Sequence, residues 1–209
     1  MFRTSRKNLA GLSLFVLIFL TPLSARAADS YDIDVAHSNI SFSVQHLMVS
    51  TTRGDFSDYT GTILFDKDNP INSQFDITIK VASIDTRNQQ RDEHLRTAEF
   101  FDVEKYPAIT FNSTKIEGSA SNYTLTGQLT MHGVTKEINI PATIAGPIKS
   151  PFGDEAIGIT CEFTVNRQDY GVSWNKQLDA GGVVVGDDVK VTVSIEAHRK
   201  PPEAKPETK

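Results

Sequence analysis

Residues 89 to 107 read QQRDEHLRTAEFFDVEKYP and set Asp92, Glu93 and His94 between Arg91 and Arg96. Two acids beside a histidine are the materials of general acid–base chemistry or of a metal site. On a helix, however, three consecutive residues spread over roughly 200° of arc and cannot converge on one atom. The spacing describes an amphipathic helix instead. Leu95, Ala98 and Phe101 share a side at three- and four-residue intervals, with His94 and Phe100 at the margins, while Arg91, Asp92, Arg96 and Glu99 face water. Pairs at Asp92–Arg96 and Glu93–Arg96 would each add a few tenths of a kcal/mol. The stretch is expected to be a lid pressed on something apolar, and only His94, on the border between its faces, keeps a claim to a polar functional role.

The remaining histidines do not assemble a site. His37 and His46 fall at opposite parity around one strand, so in an unbroken strand they point to opposite faces. His46 shares parity with Ile40, Phe42 and Val44, as a hydrogen-bonded rim residue or a polar contact for a ligand. His132 lies beside Gly133 in a turn and His198 starts the tail, and both read as solvent residues. No metal ligand set, catalytic residue or cofactor site is expected. The chain has no G-x-S-x-G, H-E-x-x-H or C-x-x-C motif and no phosphate-cradling glycine loop. Cys161 is the single cysteine, in register with Ile159 and Phe163, and reads as a buried small hydrophobe.

The elements that must position these residues are mostly strands. Residues 1–27 carry Arg3, Arg6 and Lys7, an apolar run from Leu9 to Leu20, and Ala25-Arg26-Ala27, the plan of a secretory signal peptide. The run is too short for a stable membrane anchor. Of the 21 basic and 26 acidic residues, only four basic ones lie in that segment, which leaves 17 against 26 and a formal net charge of −9. Such a surface argues against nucleic acid as a partner. Period-two runs recur at Ile40–Val44, Ile63–Phe65, Phe75–Val81, Ile109–Phe111, Tyr123–Met131, Ile138–Ile144, Ile157–Val165 and Val189–Ile195. They predict an all-β domain over residues 30–198: an antiparallel barrel of about eight strands with one short amphipathic helix packed against it. Residues 199–209, proline-rich and charged, read as a disordered tail. An eight-stranded barrel is either filled by its own side chains or keeps a slot for one apolar ligand, and composition leaves both open.

Six segments carry a resemblance: DVAHSNISFSVQHL, RGDF at 53 to 56, RDEHLRTAEFFDVEKYPAITF at 91 to 111, LTGQLTMHGVTKEI at 125 to 138, RQDYG at 167 to 171 and VGDDVKVTVSIEA at 185 to 197. In this order they resemble the YceI-like family of exported polyisoprenoid-binding proteins. The resemblance implies an extended, lipocalin-like barrel in the periplasm. It also implies a non-enzymatic role in binding or carrying a polyisoprenoid or isoprenoid-quinone-like lipid. Some relatives look dimeric, and the sequence neither supports nor excludes a homodimer. The cavity would be lined by Phe42, Val44, Phe75, Ile77, Ile79, Leu95, Ala98, Phe101, Leu125, Leu129, Ile159 and Phe163, with His46 and His94 as polar contacts. Arg91, Arg96, Lys105, Arg167 and Lys176 would meet a pyrophosphate head group, or serve as solvated charges. Two rivals stay open: an enzyme acting on a small amphiphile with His46 or His94 as base, and a solid, stress-associated barrel without a ligand.

Overall fold

The computed structural model of the chain describes residues 28–151, 153–179 and 181–201. The signal-like segment and the tail beyond residue 201 lie outside the described residues. The alternating runs form β1 (Asp29–His46), β2 (Ser50–Phe56), β3 (Tyr59–Phe65), β4 (Gln74–Lys80), β5 (Ile84–Asp85), β6 (Ala108–Ser119), β7 (Asn122–Met131), β8 (Val134–Lys149), β9 (Glu155–Asn166) and β10 (Val185–Arg199). The helix α1 spans Gln89–Arg96, between β5 and β6.

These segments fill eight positions around one closed antiparallel wall. β3 pairs with Asp29–Asp32 at the start of β1, and β2 pairs with Ile40–His46 at its end, so the two lie in line along one edge of β1. β4 and β5 pair with β3 and β2 in turn and form the next position. The meander from β6 to β10 then returns to β1, where pairing runs from Tyr31–Arg199 to His46–Val185. Closure pairs the other strands on both sides and leaves unpaired edges only at β2 and β5 among the described residues, which limits templated association with another chain.

Three register breaks explain where these strands outrun the period-two pattern. β1 slips against β10 between Asp34 and Asn39, so its buried set changes from Tyr31 and Ile33 to Ile40, Phe42 and Val44. β6 slips against β7 between Ser113 and Lys115, and its inward set changes from Ile109 and Phe111 to Ile116. β8 slips against β9 between Ala145 and Ile148, which carries the strand through a segment whose glycine and prolines suggest a loop. A bulge inverts side-chain parity, so each strand reads as a short run followed by noise. β10 likewise continues to Arg199, whose guanidinium bonds Asp29 at 2.6 Å and Glu155 at 3.1 Å, so the tail begins later than position 199.

The core divides along the barrel. At one end Tyr31, Ile63, Phe65, Tyr123, Ala142, Ile157 and Ala197 pack into a solid floor. Toward the other end Ile40, Phe56, Tyr59, Val81, Ile84, Ile109, Val165 and Tyr170 form a second cluster under α1.

Candidate functional site: an apolar tunnel with a fastened lid

Above the floor the barrel is hollow. A cavity of about 210 Å³ with an apolar lining runs from Phe75, Leu125, Ile140 and Ile195 at its base to Val44, Leu95, Phe100, Phe101, Val172 and Val185 at its mouth. Lining along β10 extends from Ile195 to Val185. At about 3.3 Å per residue and a strand tilt near 40°, that is roughly 25 Å along the axis. The space is long and narrow, the shape of a single extended chain rather than a compact molecule. Three inward glycines make part of the room: a Cβ at Gly54, Gly61 or Gly127 would come within 2.6 Å of Phe42, Ile77 and Phe111 respectively. Those large side chains lie back against the wall only because the facing position is bare.

Phe42, Val44, Phe75, Ile77, Ile79, Leu95, Phe101, Leu125, Leu129, Ile159 and Phe163 all line the tunnel. Ala98 does not. The helix ends at Arg96, the Thr97 hydroxyl donates to the His94 carbonyl at 2.8 Å, and the chain turns so that Ala98 is exposed while Phe100 is buried and points to the tunnel. A helical wheel carried past the true end of the helix placed the wrong residue inside. The lining also includes Cys161, Val189, Val191 and Val193, on alternating runs that were legible as inward faces. Burial pushes the Cys161 thiol up to about 12, so it behaves as a neutral apolar group.

The acidic and basic residues of the lid act as a clasp. Asp92, expected to face water, is buried and accepts from the backbone N–H of Thr86 at 2.9 Å and from its hydroxyl at 2.5 Å. Arg91 donates to the Thr86 hydroxyl at 2.7 Å and to its carbonyl at 2.9 Å. Arg96 makes neither expected pair with Asp92 or Glu93. It donates to the carbonyls of Ala82 at 2.8 Å and Ile84 at 2.7 Å. The cause is the chain segment after β4, which is largely outside the wall ladder and needs side-chain partners for its backbone groups. Glu93 accepts from Gln89 at 2.9 Å. His94 pairs with Glu99 and sets its ring against Phe100 and Trp174, at centroid distances of 5.0 and 5.3 Å. It braces the lid from outside and does not line the tunnel.

The mouth is held by Arg167, which is almost fully buried. Its guanidinium donates to the carbonyls of Val172 at 2.6 Å, Trp174 at 2.9 Å, Gly186 at 2.9 Å and Val185 at 3.3 Å, and pairs with Asp187 at 3.1 Å. Of the cations considered for a head group, Arg91, Arg96 and Arg167 are thus committed to the protein's own carbonyls, and Lys105 lies over the Tyr106 ring at 5.0 Å. Lys176 belongs to the mouth loop, where its carbonyl accepts from Val184 at 3.0 Å. His46 sits at the rim opposite Val185, but the register break after Val44 keeps it out of the lining. Beside it the β1–β2 turn exposes Leu47, Met48 and Val49, the last at 84%.

Two histidines read as solvent residues are structural. His132 packs edge-to-face with Tyr106 at a centroid distance of 4.6 Å and bonds the Tyr170 carbonyl at 3.2 Å. His198 lies within β10 and pairs with Asp154 at 2.6 Å. His37 pairs with Asp34 at 2.7 Å, and the break between Asp34 and Asn39 removes the parity relation to His46.

Comparison with known proteins places this architecture. A YceI-like domain matches residues 31–197. Protein YceI of Salmonella newport (strain SL254) is 34% identical over 191 residues, which is 91% of this chain and 97% of that protein. The crystal structure of Campylobacter jejuni YCEI protein superposes with a TM-score of 0.65 at 30% identity, covering 91% of this chain and 100% of the other. A polyisoprenoid binding domain from Saccharophagus degradans superposes with a TM-score of 0.62 at 14% identity, covering 84% of this chain and 100% of that domain. With the match spanning the whole barrel, this chain belongs to the YceI-like domain family.

Proposed function

We propose that this protein is an exported, periplasmic carrier that holds one long isoprenoid lipid, a polyisoprenoid or isoprenoid quinone, by its tail in the tunnel. The binding unit is residues 30–198, and residues 1–27 direct export. The observation that carries the reading is an apolar tunnel about 25 Å long with a packed cluster at one end and the lid helix over the other. Each methylene buried there contributes roughly 0.8 kcal/mol, so a tail of many carbons can be lifted from a membrane without one polar contact. The Saccharophagus degradans domain of the same fold is a polyisoprenoid binding domain, which supports the ligand class. Arg91, Arg96 and Arg167, at the lid and the mouth, are spent on backbone carbonyls, which favours a tail-read ligand over one read by an arginine clamp on a pyrophosphate. The exposed Leu47-Met48-Val49 turn at the rim supports loading from a lipid surface. Binding is favoured over catalysis because His46 and His94 lie outside the lining, burial holds the Cys161 thiol neutral, and the lining hydroxyl of Ser41 has no histidine or carboxylate beside it in the lining to activate it.

The test is mass spectrometry of organic extracts of the natively purified protein. A stoichiometric isoprenoid is expected. Extracts free of isoprenoid, together with failure of the stripped protein to take up a polyprenol or quinone from vesicles, would defeat the proposal. A chemically altered lipid released on incubation would point to catalysis instead.

A further inference from the structure

The outer wall near the floor, on the side away from the tunnel, gathers a second group of functional side chains. Asp34 of β1 and Glu196 of β10 face each other as register partners across the seam that closes the barrel. Two acids directly opposite on neighbouring strands repel, so the pair needs a cation. His198, two residues along β10 on the same face, turns its Nε2 toward both: 3.0 Å from Glu196 Oε1 and 3.7 Å from Asp34 Oδ2. The three donor atoms all lie within 4.8 Å of one another. Metal bonds of about 2.0–2.1 Å in a tetrahedron put ligand atoms roughly 3.3 Å apart, which falls between those two spacings.

The surrounding shell favours metal binding over a chance encounter. His198 Nδ1 is 2.6 Å from Asp154 Oδ2, and Asp154 in turn receives the Ser150 hydroxyl. A carboxylate on one imidazole nitrogen orients the ring, so that the other nitrogen, which faces the Glu196 carboxylate in the metal-free protein, would turn its lone pair to the site when an ion displaces the proton there, as in the carboxylate–histidine–metal arrangement. Asp34 is fixed on both oxygens: Oδ1 accepts from the Ala36 N–H at 2.9 Å, and Oδ2 lies 2.7 Å from His37 Nδ1. All three donors are half-buried, so the site is partly shielded yet reachable.

We propose that Asp34, Glu196 and His198 form a binding site for a divalent first-row transition ion of the zinc class, with water in the open coordination position. Two carboxylates and one imidazole suit such an ion. The ion would neutralise the facing acids and staple β1 to β10 where their register breaks between Asp34 and Asn39. It has no part in lipid binding, since none of the three lines the tunnel.

The competing account is that His198 serves as a charged clamp, donating from both nitrogens. Titration of untagged, chelator-stripped protein with Zn²⁺ by calorimetry, and with Co²⁺ by visible absorption, separates the two. One equivalent of each ion is expected, with a rise in melting temperature on Zn²⁺ addition. His198→Ala should weaken Zn²⁺ binding at least 100-fold. Asp154→Asn, which leaves all three donors in place, should weaken it 10–100-fold. Absence of stoichiometric binding, or equal affinities in the wild type and in folded His198→Ala and Asp154→Asn variants, would overturn the site. Lipid content should be the same in all three proteins, which keeps this result separate from the carrier proposal.

Discussion

Leu129→Asp tests the tunnel most directly. Leu129 lines the cavity from β7 and is only 9% exposed. A chain threading past this position would lose contact equivalent to about three methylenes, roughly 2.4 kcal/mol at about 0.8 kcal/mol each. It would also have to strip water from a new carboxyl group, at a cost of about 2 kcal/mol. Together these come to about 4 kcal/mol, near a 1,000-fold loss of affinity at about 1.4 kcal/mol per decade. The fold itself should lose about 3 kcal/mol from the vacated core volume and the buried acid. Leu129→Met keeps volume and polarity and should bind within a few-fold of wild type. Val191→Asp, from a half-buried position on β10, offers the same insertion with less damage to packing. The assay is lipid retained after equilibration with quinone-loaded vesicles, with circular dichroism to verify folding. Unchanged retention in folded Leu129→Asp and Val191→Asp would refute the claim that the ligand runs through this space.

Asp92→Ala leaves the Thr86 N–H and hydroxyl without their acceptor, a loss of about 2 kcal/mol. Amide exchange across residues 84–101 should accelerate about 30-fold while β8 to β10 stay unchanged, and uniform acceleration would show that the clasp is not a local unit. For Cys161, burial holds the folded thiol up at about 12 against 9.0 for a free one, so the folded state keeps a proton that the unfolded chain releases. Stability from this group is complete below pH 9 and declines from there through pH 12; Cys161→Ala should show a flatter urea-midpoint profile across that window, and parallel profiles would contradict the thiol's burial. Val49→Asp alters a residue 84% exposed, so stability should stay within about 0.5 kcal/mol while lipid uptake from vesicles slows at least tenfold. Equal uptake rates would remove the rim turn from the loading route.

The sequence was most legible where alternation ran without a break. β4, β7 and β9 hold one parity throughout, and Phe75, Leu125, Leu129, Ile159 and Phe163 from those strands reach the tunnel as their spacing implies. Legibility failed at the register breaks, where one extra residue in β6 and β8 and three in β1 invert which side chains face inward and disguise a long strand as a short one. It failed again in the lid. Asp92 and Arg96 have the spacing of a solvent ion pair, and nothing local announces that Thr86, Ala82 and Ile84 stand nearby with unsatisfied backbone groups. The cluster of Asp34, Glu196 and His198 was invisible for the same reason: its members are 162 and 164 positions apart along the chain and meet only through the register of the closing strands.

The solid floor has a consequence for traffic. A vessel packed solid at one end does not act as a conduit, because its cargo leaves through the opening by which it came. In the proposed carrier role, donor and acceptor would compete for the same rim and could not both be engaged by one molecule. Delivery would then be a strict alternation of loading and unloading visits, and its rate at high donor concentration would fall as the rim is occupied by the wrong partner.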